Sequence, residues 1–174
     1  VYAARLHDGR DIVLKLRRPG IRKQMEADLR ILAHIAELAE QNLPDVRRYR
    51  PREIVRLLSN ALLEELDFTV EARNTETLAD AFAQDPNIVV PAIHWPFTSE
   101  RLLVQDRLSG VPVSDAAALC ASGLDRALIA RRGAEAFLKA AFDEGLFHAD
   151  PHPGNLFCLA GNRVGFIDFG MIGR

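Results

Sequence analysis

The residues best suited to chemistry lie towards the C-terminal end of the 174-residue chain, in Phe147-His148-Ala149-Asp150-Pro151-His152-Pro153-Gly154-Asn155 and in Ile167-Asp168-Phe169-Gly170. Asn155 follows Asp150 by five positions, and Asp168 follows Asn155 by thirteen. Two carboxylates and an amide oxygen are hard donors. They suit magnesium, which keeps several of its waters and asks for few protein ligands. They also suit phosphoryl transfer, which needs a carboxylate near the attacking hydroxyl or water and metal ligands beside the nucleotide phosphates. Asp150 is therefore the candidate catalytic carboxylate, and Asn155 and Asp168 are the candidate magnesium ligands. Asp-Phe-Gly alone would be an ordinary turn after a strand; the two segments together, at this spacing, carry the signal. A rival reading takes the alternating His148, Asp150 and His152 as a transition-metal site. It needs a fourth ligand, for which His94 is the plausible distant imidazole, and it leaves Asn155 and Asp168 without a role.

Lys15 is the second element. It stands in the apolar run Asp11-Ile12-Val13-Leu14-Lys15-Leu16. A lysine on the second of two paired strands can reach the α- and β-phosphates of a nucleotide, and such a lysine usually pairs with a glutamate on the following long helix. Glu64, Glu65 and Glu71 are the candidates. Glu64 and Glu71 are seven apart and share a helix face, while Glu65 points elsewhere. Each of these acids alone also fits a solvated helix face, and on spacing all three stay open.

The elements that must position these groups follow from the pattern. Asp8-Gly9 between two strand-like runs, 1–6 and 11–17, predicts a hairpin. From Ile21 to Gln41 the spacing is helical, with Leu29, Leu32, Ile35, Ala36 and Ala39 as its apolar stripe. A second helical stretch, 51–83, bends near Asp67-Phe68 and carries Ile54, Leu57, Leu58 and Leu62 on one face. Short strands are expected at 88–90 and 101–105. A helix is expected over 125–144, with Leu128, Ile129, Phe137, Leu138, Ala141 and Phe142 facing the core. A loop at 147–155 and a hairpin of 156–158 with 164–167 complete the order, which is that of an α+β fold rather than an alternating one.

The formal net charge of −2 argues against general nucleic-acid binding, which needs a basic surplus. Arg47, Arg48, Arg50 and Arg52 read as a solvated turn. Cys120 and Cys158 lack metal-ligand spacing and fit two reduced, mostly buried thiols of a cytosolic protein. No apolar run approaches the roughly 20 residues of a membrane-spanning helix.

With these residues in view, the chain resembles the UbiB family of atypical protein-kinase-like proteins over essentially its whole length. The resemblance rests on Val13-Leu14-Lys15-Leu16-Arg17-Arg18-Pro19-Gly20, on Glu65-Leu66-Asp67-Phe68 followed by Glu71-Ala72-Arg73-Asn74, on His148 to Asn155, and on Asp168-Phe169-Gly170. The second block is the most diagnostic, because ordinary protein kinases lack it. Aminoglycoside and choline-kinase-like phosphotransferases share a loop resembling the third.

The resemblance implies a protein-kinase-like fold, with a small β-rich lobe carrying inserted helices over 1–108 and the opening of a helical lobe over 109–174. It implies ATP and Mg2+ as cofactors, Lys15 as the nucleotide lysine and Glu71 as its helix partner. Glu65 and Asp67 match the family's Glu-x-Asp motif, which contacts an N-terminal Lys-x-Gly-Gln segment, and Val104 to Asp106 falls where a kinase hinge holds adenine. The implied activity is that of an ATP-dependent kinase or ATPase supporting ubiquinone or related isoprenoid-lipid metabolism. The implied partners are the nucleotide and, through segments outside this chain, lipid or isoprenoid-quinone precursors and the membrane surface of a cytoplasmic, membrane-associated protein. A small-molecule phosphotransferase and a nucleotide-binding scaffold with little turnover are the alternatives. The chain departs from the family pattern in lacking Gly-x-Gly-x-x-Gly, the alanine-rich nucleotide loop that would precede Val1, and the Lys-x-Gly-Gln segment. It reads as a fragment, expected to be inactive alone.

Overall fold

Asp8-Gly9 turns the chain between β1 (Tyr2–Arg5) and β2 (Asp11–Leu16), with Gly9 at a φ of 91° that its missing Cβ permits. The computed structural model describes residues 1–148 and 152–173, and of His148 the backbone alone. The strands pair antiparallel from Tyr2 opposite Leu14 to Arg5 opposite Asp11, and β4 (Leu102–Asp106) lies along the other side of β2. Lys15 thus sits on the central strand of a three-stranded sheet.

Residues 16–67 form one compact unit, and residues 1–15 with 68–174 form another. The first holds α1 (Ile21–Asn42), the short α2 (Pro44–Arg47) and α3 (Pro51–Glu64). Its seam keeps Leu29 and Ala36 of the expected α1 stripe and departs from the rest. Leu29, Ala36 and Val55 are buried, whereas Leu32, Ile35, Ile54, Leu57 and Leu58 are exposed. Two helices can cover only one face of each other, and here the covered face carries the small Ala36 and β-branched Val55, which allow close approach. Arg47 is no free cation: its guanidinium donates to the carbonyls of Glu40 and Gln41. It thereby satisfies two of the acceptors left at the end of α1.

In the second unit α4 (Phe68–Ala81) precedes β3 (Ile88–Val89), so the single bent helix expected over 51–83 is two helices. After β4 come β5 (Val111–Pro112), α5 (Ala116–Ala121) and α6 (Arg126–Phe142). Asp115 caps α5 by accepting the Ala118 N–H at 2.9 Å, and Asp125 caps α6 through Leu128 at 3.0 Å. β6 (Phe147–His148), β7 (Leu156–Leu159), β8 (Arg163–Phe166) and β9 (Ile172–Gly173) follow. A second sheet runs β3-β8-β7-β5, with β3 parallel to β8 and the β7–β8 hairpin antiparallel. β9 pairs antiparallel with β6.

The core of this unit gathers Leu78 of α4 and Phe82 just beyond its end, Ile129, Ala136 and Ala140 of α6, Cys158, Val164 and Phe166 of the hairpin, and Phe169. Phe82 stacks on Phe166 with centroids 6.5 Å apart. Burying each such ring is worth about 1.5–3 kcal/mol. Leu138 and Phe142, expected to face this core, are exposed, because Ala136 and Ala140 turn the opposite side of α6 inward. Cys158 is buried as expected, but Cys120 is exposed. No helix among the described residues is long and apolar enough to cross a membrane.

Gly110 is held by close approach. A Cβ there would stand 2.6 Å from the Cys158 carbonyl oxygen and 2.5 Å from the Leu159 side chain. Backbone cannot yield as a flexible side chain can, so Gly110→Ala should destabilise the domain by about 1–3 kcal/mol. Urea unfolding measures this; an unchanged midpoint would show that β5 moves freely against β7.

Candidate active site

The site is built where β2, α4 and the β7–β8 hairpin converge in the unit of residues 1–15 and 68–174. Lys15 Nζ lies 2.6 Å from Glu71 Oε1 and 3.2 Å from Asp168 Oδ2. Glu71 sits in the first turn of α4, and its side chain is 7% exposed; that of Lys15 is 13% exposed and that of Asp168 is 47% exposed. One cation thus joins a buried carboxylate to a carboxylate open to solvent. Glu64 and Glu65, the other candidates for pairing with Lys15, lie at the end of α3.

Burial pushes the Glu71 carboxyl above the usual carboxylate range, and the Asp168 charge pushes the same way. Lys15 and the backbone N–H of Phe169, which donates to Glu71, pull it back only in part. The net upward direction means that desolvation outweighs the partners.

The hairpin register brings the two candidate metal ligands together. Leu156 pairs with Phe166, and the Ile167 N–H donates to the Asn155 carbonyl at 2.9 Å. Asn155 and Asp168 therefore stand at the same end of β7 and β8. A 3-10 turn, Pro153–Asn155, leads into β7, and the His152 ring accepts the Gly154 N–H through Nδ1 at 3.0 Å. Asp168 has a φ of 65°, in the left-handed region. Asp and Asn tolerate that region better than other side-chain-bearing residues. Asp150 and the side chain of His148 lie outside the described residues.

The remaining candidates divide. Val104 is buried in β4, its N–H donating to the Thr98 hydroxyl and its carbonyl accepting from His94. Asp106, at the end of the same strand, accepts from the ring of buried His94, with Nε2 2.7 Å from Oδ1. That bond engages the imidazole that the rival metal reading would recruit. Among the described residues, no three His, Cys, Asp or Glu side chains cluster as a metal site. Glu65 and Asp67 belong to the unit of residues 16–67, where they flank Leu66, whose carbonyl accepts from the Arg17 guanidinium.

Asn74 received no role from sequence, although it stands in a quoted motif. Its side-chain amide donates to the Phe169 carbonyl at 3.0 Å. The available signal was its place three residues after Glu71, on the same helix face.

The sequence profile of the ABC1 atypical kinase-like domain matches residues 1–174. The chain belongs to that family. A relative from Cellvibrio japonicus named "Probable protein kinase UbiB" is 41% identical over 90% of this chain and 28% of its own length. One of the same name from Xylella fastidiosa is 37% identical over 100% of this chain and 33% of its own. The ABC1 domain described here thus spans about a third or less of these relatives. The solved complex of Rv3197 with erythromycin from Mycobacterium tuberculosis shares the fold, with a TM-score of 0.80 at 28% identity over 98% of this chain and 42% of that one. The α+β architecture is accordingly that of a kinase-like ABC1 domain.

Proposed function

We propose that this domain performs magnesium-dependent phosphoryl transfer from ATP, as a UbiB-type kinase or ATPase serving ubiquinone or related isoprenoid-lipid metabolism. The observation that carries the reading is the contact of Lys15 with both Glu71 and Asp168, with Asn155 at the same end of the hairpin. The names of the curated relatives support it. The donor set fits the cofactor: a half-exposed carboxylate and an amide offer hard oxygens to magnesium, and an ammonium beside them suits phosphate.

Lys15 holds the α- and β-phosphates, and Glu71 keeps its ammonium aimed. Asn155 and Asp168 would hold a magnesium ion, which would supply positive charge beside the phosphate oxygens. Asp150 orients the attacking hydroxyl or water and takes its proton. The end of β4, from Val104 to Asp106, would hold the adenine, at the junction of lobes 1–108 and 109–174. Glu65 and Asp67 face the covering segment of the full-length protein. Its lipid or isoprenoid-quinone partners and its membrane surface are met by segments outside this chain.

Thermal unfolding of the full-length protein tests the reading. Mg-ATP at a hundred times its dissociation constant should stabilise by about 2.7 kcal/mol, roughly 5–10 °C for a domain of this size, and chelation with EDTA should abolish the rise. No rise with Mg-ATP would sink the proposal.

A further inference from the structure

Phe169 is the largest of the fully buried side chains among the described residues, at 1% exposure. A residue so placed must find partners for its backbone N–H and carbonyl, since unpaired polar groups are costly away from water. Both partners come from one helix. The Phe169 N–H donates to the Glu71 carboxylate, and its carbonyl accepts from the Asn74 amide at 3.0 Å. Glu71 and Asn74 are three residues apart on α4, so their side chains project from neighbouring turns of one face.

This two-point hold bears directly on Asp168, the preceding residue. At a φ of 65° Asp168 occupies the left-handed region, which is less favourable than the ordinary regions even for Asp and is held in place by its surroundings. Its peptide link to Phe169 is fixed on one side by the chain and on the other by α4. Glu71 also holds Lys15, and Lys15 contacts Asp168. Side-chain charge and backbone conformation at Asp168 are therefore both set from the same helix turn.

We propose that Asn74 is a positioning residue: by gripping the Phe169 carbonyl it holds Asp168 in the left-handed conformation that presents its carboxylate to the metal. The inference rests on the proposed role of Asp168 as a magnesium ligand. A purely structural role, filling space or satisfying a buried carbonyl, would affect stability but not metal affinity.

The test is Mn2+ binding to the full-length protein in the presence of ATP, followed by the loss of free-ion signal in electron paramagnetic resonance. Asn74→Ala should weaken Mn2+ binding by about tenfold or more, the usual consequence of removing a group that orients a metal ligand. ATP binding in EDTA should stay within about twofold of wild type. Asn74→Asp, nearly isosteric, presents oxygen to the carbonyl instead of a donor, and should be at least as impaired as Asn74→Ala. Asn74→Gln keeps the amide and should recover part of the affinity; it serves if either other variant fails to fold. Wild-type Mn2+ affinity in Asn74→Ala, or in Asn74→Asp alone, would overturn the inference. Absence of Mn2+ binding in the wild type would remove the metal reading of Asp168 itself, and this inference with it.

Discussion

Replacing Lys15 with methionine destabilises the domain by about 3–5 kcal/mol at pH 8, the usual consequence of leaving a buried charge without its partner. That corresponds to a fall on the order of 10 °C in the melting temperature. The size of the effect depends on pH, and its sign follows from Glu71. Burial already raises the folded-state pKa of this carboxyl above its unfolded value, and Lys15 opposes that rise. Removing Lys15 raises it further. A group raised in this way contributes stability that is fully present below its unfolded pKa and is lost as pH climbs through its folded pKa. Lys15→Met should therefore be mild near pH 4.5, where the buried carboxyl takes up a proton, and severe at pH 8. The double variant Lys15→Met/Glu71→Gln should lose most of that pH dependence, because nothing is left there to ionise. Urea unfolding at a series of pH values measures all three proteins. A destabilisation that does not change between pH 4.5 and pH 8 would show that Glu71 is not the group left stranded.

Asp168→Asn should abolish most magnesium-dependent turnover while leaving the fold intact. The substitution suits the backbone, since Asn accepts the left-handed conformation at least as well as Asp. It alters one charge and no volume. Metal-ion stabilisation of a transferring phosphoryl group amounts to several kcal/mol, so the loss in kcat should be on the order of a hundredfold or more. The stabilisation by Mg-ATP should vanish with it, whereas metal-free ATP, held through Lys15, should still bind. Removing the carboxylate also removes a charge that raises Glu71. Stability without ligand should therefore hold or rise slightly. Turnover at the wild-type rate in Asp168→Asn would refute its role as a metal ligand.

Much of the molecule was legible in the chain itself, for reasons local to each segment. Asp8-Gly9 specifies its own turn, so the first hairpin and the strand position of Lys15 followed directly. The helices over 21–42 and 126–142 were visible because their apolar residues recur at helical spacing over many turns. Asn155 and Asp168 could be paired because they flank a hairpin whose strands are short-range signals. The apolar faces were less legible. Along α1 and α3 both flanks carry large aliphatic residues, and periodicity cannot say which flank the partner helix covers; of the expected stripes Leu29 and Ala36 are buried, joined by Val55, while Leu32, Ile35, Ile54, Leu57 and Leu58 are exposed. The short β5, β6 and β9 have no pattern of their own and exist only through their partners.

The same division holds at the candidate site. Residue type and spacing named Lys15, Asn155 and Asp168, because phosphate and magnesium chemistry demands a few particular groups in a recognisable order. Spacing left Glu64, Glu65 and Glu71 equivalent, and only the family resemblance favoured Glu71. What brought Glu71 against Lys15, 56 positions away, and Asn74 against Phe169, 95 positions away, was tertiary packing. Neither contact leaves a local trace, since a helix presents its side chains at the same angles whatever lies opposite. Burial then gave each its energetic weight: a carboxylate and an amide that would be ordinary on a solvated helix became, beneath Phe169, the groups that hold Lys15 and the peptide after Asp168.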